Sequence, residues 1–148
     1  MGTRPAPKPM GTHRVNDLTL VDTDILIDAG LQVSQAVNCL AEIERQSVLA
    51  VSVITQMELL IGCRNKTEWR RAERFLHRFQ VLTLNDPVCD TALELLRRYR
   101  LSHGLMIPDA FIAATAMTLN QPFISKNRRD YQFISELKLL PYPVPYPA

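Results

Sequence analysis

Apolar positions along this chain follow two rhythms. Short runs of consecutive apolar residues occur at Leu18 to Val21, Val48 to Val53, Val81 to Leu84 and Pro122 to Ser125, and Leu137 to Leu140 reads as a fifth. The run Val48-Leu49-Ala50-Val51-Ser52-Val53 is unbroken and β-branched, as expected of a strand buried on both faces of a parallel sheet. Between these runs the spacing lengthens to that of helices. Val33, Ala36, Val37, Leu40 and Ile43 fall on one helical face. Met57, Leu60 and Ile61 define a second inward face, with Glu58 on the same helix. Trp69, Ala72, Phe75, Leu76 and Phe79 define a third, with Thr67 as its cap. A brief helix capped by Thr23 or Asp24 precedes these and stops at Gly30. Asp86-Pro87 opens a helix carrying Val88, Ala92, Leu95, Leu96 and Tyr99, and Pro108-Asp109 opens a very apolar one reaching Leu119. Strands separated by helices predict an α/β fold: a central parallel sheet of about five strands, flanked by helices in three layers.

The ends break the pattern. Residues 1–16 are rich in Pro, Gly and basic residues without periodicity and read as a flexible leader. Residues 17–141 hold the domain. Residues 142–148 form a Pro-rich tail that can neither continue a helix nor pair as a central strand, and are expected to lie extended on the surface.

Composition narrows the picture. At 148 residues and 47% hydrophobic, the chain suits one domain with a real core. A formal charge of only +2 excludes a global polycation, so nucleic-acid binding would need local patches. Cys39, Cys63 and Cys89 lie far apart and form no C-x-x-C pair; they read as reduced, mostly buried thiols. No apolar stretch of about 18 residues offers a membrane span, and no signal-peptide core is seen, so a cytoplasmic protein is expected.

The candidate chemistry lies in acids placed by the strand–helix alternation. Asp22 ends the first strand, Glu58 lies on the helix after the second, Asp109 opens the apolar helix, and Asn127 and Asp130 follow the fourth strand. In a parallel α/β sheet these positions reach one edge, where ligands bind. Their neighbours are apolar, so the carboxylates should be partly desolvated and mutually repelling unless a cation compensates. Oxygen donors without a Cys/His cluster select Mg²⁺ or Mn²⁺ over zinc, which suits phosphodiester hydrolysis. Each acid also has a plainer reading. Asp109 suits the positive end of a helix dipole, Asp22 can be a cap, and Asp24 and Asp28 face solvent or cap the short helix. Lys126, Arg128 and Arg129 beside the acids are candidates for RNA-backbone contact, or simply a solvated loop. Arg64, Lys66, Arg70, Arg71, Arg74 and Arg78 alternate with Glu68 and Glu73 and read as a solvated helix face. His13, His77 and His103 show no ligand spacing.

The blocks VDTDILID (Val21 to Asp28), SVITQMELLIG (Ser52 to Gly62), IPDAFIAATA (Ile107 to Ala116) and SKNRRDYQFI (Ser125 to Ile134) resemble, in order and spacing, the sequence blocks of PIN domains. Among these they are most similar to VapC-type toxin ribonucleases of toxin–antitoxin pairs. The resemblance runs from about Leu18 to Leu140. It implies a five-stranded parallel sheet and Mg²⁺- or Mn²⁺-dependent hydrolysis of RNA by a metal-activated water, leaving a 5′-phosphate and a 3′-hydroxyl. It implies Asp22, Glu58 and Asp109 as the main acids, Ser125 as an orienting hydroxyl, a homodimer, and a small antitoxin protein that blocks the site. Many members carry an acid where Asn127 stands; others have Asn there and use the acid three residues later, here Asp130. The fourth position, and with it one metal ion or two, stays open.

Two rival readings remain. Asp22-Thr23-Asp24 after a strand also resembles the first motif of haloacid-dehalogenase-like phosphatases, with Asp22 as nucleophile, Asp24 as general acid, Ser52 or Thr55 as phosphate ligand and Lys126 as charge stabiliser. That reading lacks a late pair of adjacent Asp residues and leaves Glu58 and Asp109 idle. The other rival is a PIN fold that only binds RNA or a protein partner.

Overall fold

The computed structural model describes residues 17–148; the expected leader, 1–16, lies outside the described residues. Strands β1 (Leu18–Val21), β2 (Val48–Ser52), β3 (Gln80–Leu82), β4 (Phe123–Ile124) and β5 (Leu139–Leu140) form one sheet in the order β3-β2-β1-β4-β5, every pair parallel. The helices are α1 (Thr23–Gly30), α2 (Ser34–Gln46), α3 (Val53–Ile61), α4 (Lys66–Leu76), α5 (Asp86–His103) and α6 (Ile107–Thr118). This is the expected α/β architecture of five strands flanked by helices.

Side-chain alternation divides the core into two halves. Leu18 and Leu20 of β1 and Ala50 of β2 face α5 and α6, where Ala92, Leu95, Ile112, Ala113 and Ala116 close over them. Val21, Leu49 and Val51 face the other way, onto Ile25, Leu26, Leu40 and Ile43 of α1 and α2. β1 and β2 are therefore buried on both faces, as their unbroken apolar runs require. The four alanines Ala110, Ala113, Ala114 and Ala116 have no exposed surface, so α6 lies deep in the fold.

Several local expectations shift. α1 is capped by Asp22, whose Oδ1 accepts from the Thr23 N–H, rather than by Thr23 or Asp24, and it continues through Gly30. α4 is capped by Asn65 accepting from the Glu68 N–H, two residues earlier than the expected cap Thr67. β5 holds only Leu139–Leu140. The inward face assigned to α3 is wrong: Met57 and Ile61 are 51% and 82% exposed. α3 instead turns Thr55 and Leu59 toward the core, about half a helical turn away. Trp69 is also outward, its indole N–H donating to Glu73. α4 buries only its C-terminal end, through Leu76 and the half-buried Phe75. Cys39 is buried and Cys63 half-buried, but Cys89 is exposed; all three are free thiols. In the tail, Tyr142 packs against the α1–α2 half of the core and Pro145 is buried. Among the described residues no helix is long and apolar enough to cross a membrane.

Candidate active site

The strand order locates the site. The chain runs outward from β1 to β2 and β3, then returns to β1's other side as β4 and β5. Between β1 and β4 the connections diverge to opposite sides, which opens a crevice at the strands' carboxyl ends. Val21 pairs with Ile124 at that edge, and the Asp22 N–H donates to the Ile124 carbonyl at 2.9 Å. The next residue on each strand, Asp22 and Ser125, is thereby brought to the same point, and Ser125 Oγ donates to Asp22 Oδ2 at 2.8 Å.

Asp22 is 7% exposed. Burial, reinforced by the charge of Asp24, pushes its acid up to about 7, against the hydrogen bonds from Ser125 and the Thr23 N–H. Asp109 stands in the first turn of α6, where Pro108 fixes the start of the helix. Burial raises its acid, and the charges of Asp130, Glu58 and Asp24 add to that; a hydrogen bond from Tyr131 opposes it. The Tyr131 hydroxyl lies 3.0 Å from Asp109 Oδ1. Its phenol is buried and held strongly toward the protonated form by burial and by Asp22 and Asp109.

Glu58 departs from expectation. It is exposed at the mouth of the crevice, not desolvated within it. Its Oε1 accepts from Thr23 Oγ1 at 2.6 Å, and Thr23 is also hydrogen-bonded to Thr55 at 2.8 Å. Asp130 is exposed as well, and its Oδ2 accepts from the Asn127 side-chain amide at 2.9 Å. Both candidates for the fourth position thus sit together at the rim, and Asp130 reaches Asp109 through its field alone.

An acid that the sequence reading set aside joins the group. Asp24 does not face solvent freely: it is half-buried and receives the backbone N–H groups of Lys126 and Asn127 and the Ser125 hydroxyl, at 3.1 to 3.3 Å. Burial raises its acid despite those donors. It clamps the loop after β4 against α1. Asp28, expected in solvent or at a cap, accepts from Lys126 Nζ at 2.8 Å. Lys126 is therefore committed to Asp28, and Arg128 donates to the Leu140 carbonyl. Arg129 alone of the three basic candidates is exposed with no hydrogen bond or ion pair among the described residues. The phosphatase roles fit poorly, since the Ser52 hydroxyl caps α3 and Lys126 is paired with Asp28.

Sequence reasoning assigned Tyr131 no role, and assigned Thr23 and Thr55 other roles than the hydrogen bonds they make here. Thr23 sits beside Asp22, but its partners lie 32 and 35 residues away. For Tyr131 the only available signal was a hydroxyl-bearing ring directly after Asp130 in a charged stretch.

The donor set is all oxygen, and no Lys or Arg makes an ion pair with Asp22, Asp24, Asp109, Glu58 or Asp130 among the described residues. Acids raised by burial and by one another form a trap for a hard divalent cation. Among the described residues no three His, Cys, Asp or Glu side chains converge as a closed ligand set. The residues fit such an ion as an open cup rather than a preformed cage.

Residues 19–135 match the family description of the PIN domain. The chain is 33% identical over 129 residues to Ribonuclease VapC10 of Mycobacterium tuberculosis, covering 86% of this chain and 96% of that protein. It is 26% identical over 125 residues to Ribonuclease VapC1 of Methanocaldococcus jannaschii, covering 83% and 85%. A solved toxin–antitoxin complex from Klebsiella pneumoniae contains a chain that superimposes with a TM-score of 0.72 at 27% identity, covering 88% of this chain and 99% of that one. With the acids gathered at the crevice between β1 and β4, the chain belongs to the PIN-domain family.

Proposed function

We propose that this chain is a divalent-metal-dependent endoribonuclease and the toxin of a toxin–antitoxin pair. The observation that carries the reading is the cup itself: Asp22, Asp24 and Asp109 are raised by burial, and among the described residues no Lys or Arg forms an ion pair with them. Such a cup is stable in its ionised form only with a cation in it. Asp22 and Asp109 would hold Mg²⁺ or Mn²⁺, with Glu58 acting through water and Asp130 from the rim. The ion would supply an activated water and screen the charge that builds on the scissile phosphate.

The chain's own groups prepare that site. Ser125 fixes one oxygen of Asp22, Thr23 fixes one of Glu58, and Asp24 holds the loop that presents Ser125. Asn127 orients Asp130. Arg129 is free to meet the RNA backbone, and Lys126 keeps Asp28 from adding to the cup's charge. The ribonuclease relatives and the toxin–antitoxin neighbour support the reading.

The same support extends to partners. A groove of about 720 Å³ runs beside the cup between α1, α3 and α4, lined by Leu26, Ile27, Leu31, Leu59 and Phe75 with Glu58 at its edge. An antitoxin segment with an apolar face fits there, placing a basic side chain over the acids. A second apolar groove on α5 and the start of α6 exposes Leu93, Leu101, Met106 and Ile107, and is the proposed face of a homodimer.

The test is cleavage of a structured RNA by the purified protein with and without Mg²⁺ or Mn²⁺, beside an Asp22→Asn/Asp109→Asn variant. Metal-dependent cutting that falls to background in the variant is expected. Metal and RNA binding with no cutting of any RNA would replace the nuclease by a binding module. Turnover of a phosphate monoester through an aspartyl-phosphate would overturn both.

A further inference from the structure

Three acids, Asp22 and Asp109 in the cup and Glu58 at its rim, each accept a hydrogen bond from a hydroxyl. Ser125 Oγ donates to Asp22 Oδ2 at 2.8 Å, Thr23 Oγ1 to Glu58 Oε1 at 2.6 Å, and Tyr131 Oη to Asp109 Oδ1 at 3.0 Å. The three hydroxyls come from different segments: the loop after β4, the first residue of α1, and the residue after the short turn Arg128–Asp130. A hydroxyl orients a carboxylate without adding positive charge. A Lys or Arg in the same place would cancel the field that draws a cation and would repel the ion itself.

Tyr131 is the most constrained of the three. It is 1% exposed, and its ring meets Phe123 edge-to-face at 4.8 Å and 69°. From that packing the ring presents its hydroxyl to Asp109, with Asp22 also within its reach. Among the described residues no donor reaches Asp109 Oδ2. We propose that Tyr131 is a positioning residue of the acidic cup: its neutral hydroxyl pins Asp109 through Oδ1 and leaves Oδ2 free, so that Asp109 would be oriented to hold a cation. The inference rests on the metal-dependent reading of the site. A phenylalanine at this position would fill the core equally well, so the hydroxyl is what the site gains from tyrosine.

The experiment compares Mn²⁺ binding by isothermal titration in the full chain, its Tyr131→Phe variant and a Phe123→Leu variant, with thermal melting of each in EDTA. Removing the hydroxyl is expected to weaken Mn²⁺ binding roughly tenfold, the lower range for losing a partner that orients a metal ligand. RNA cleavage by Tyr131→Phe should recover toward wild type as Mn²⁺ is raised. Phe123→Leu loosens the same packing without touching the hydrogen bond, so it should lower the melting temperature and leave Mn²⁺ affinity nearly unchanged. Equal Mn²⁺ affinity in wild type and Tyr131→Phe would overturn the proposal and leave the nuclease reading standing. No Mn²⁺ binding by the wild type would overturn both. Should Tyr131→Phe not fold, the wild type still decides: Mg²⁺ titration must shift the Tyr131 ring resonances saturably, and their failure to move would reject the role.

Discussion

At the scale of single residues, Asp22 shows what the cup costs the fold. Its acid is moved from the ordinary 3.8 to about 7 by burial first and Asp24 second. Between those values the folded metal-free protein holds a proton that the unfolded chain has released. Stability therefore falls as pH rises from about 4 to about 7, the reverse of an acid held by a salt bridge. The effect is on the order of 4 kcal/mol, from about 1.4 kcal/mol for each pH unit. In EDTA, the melting temperature of the wild type should fall between pH 4.5 and pH 8, and that of Asp22→Asn should be flatter and higher at pH 8. Mg²⁺ should narrow the gap by binding only the folded form. A wild type that instead gains stability toward pH 8 without metal would show that Asp22 is not buried and unpaired.

At the scale of elements, the loop after β4 sorts three basic residues that look equivalent in sequence. Lys126 is bound to Asp28 on α1, Arg128 to the Leu140 carbonyl on β5, and Arg129 projects outward. Only the last is uncommitted, so it should carry the phosphate contact. Arg129→Ala is expected to raise KM for RNA several-fold and to reduce the salt slope of binding by about one. Lys126→Ala should leave KM within about twofold, since its charge is already engaged. Equal weakening by both changes would show that the Asp28 pair opens when RNA arrives. α3 makes a related point: Met57 and Ile61 lie on the face opposite Thr55 and Leu59, so an apolar helix in a family of buried elements is left partly bare.

At the scale of the whole molecule, two faces among the described residues expose apolar side chains around a groove. One borders the groove next to Glu58, and the other runs along α5 into α6. These are the two faces proposed above for an antitoxin segment and for a second copy of the chain. Leu101 is 99% exposed and stands on the second face. Sedimentation should show a dimer for the wild type and a monomer for Leu101→Glu, with the melting temperature little changed at high dilution. A monomeric wild type would remove that face from the assembly. Cutting by the monomeric variant would then show whether one cup suffices.

Much of this protein was legible in its sequence, because periodicity is local. A period of two or an unbroken apolar run marks a strand, and a period near 3.6 marks a helix, whatever lies elsewhere in the chain. That settled the α/β alternation and placed Asp22, Asp109 and Ser125 at element ends, where a parallel sheet gathers its ligands. Faces and partners were not local. Ser125 meets Asp22 across 103 residues, and Asp24 meets Asn127 across the same separation, only because β4 returns to lie beside β1. Strand order therefore decided that Asp24 joins the cup, that Lys126 pairs with Asp28, and that the Tyr131 hydroxyl reaches Asp109. It also decided that Glu58 and Asp130 stay at the rim. Residue type announced which groups could do the chemistry; burial and the neighbours across the sheet determined which of them are held, charged and free to do it.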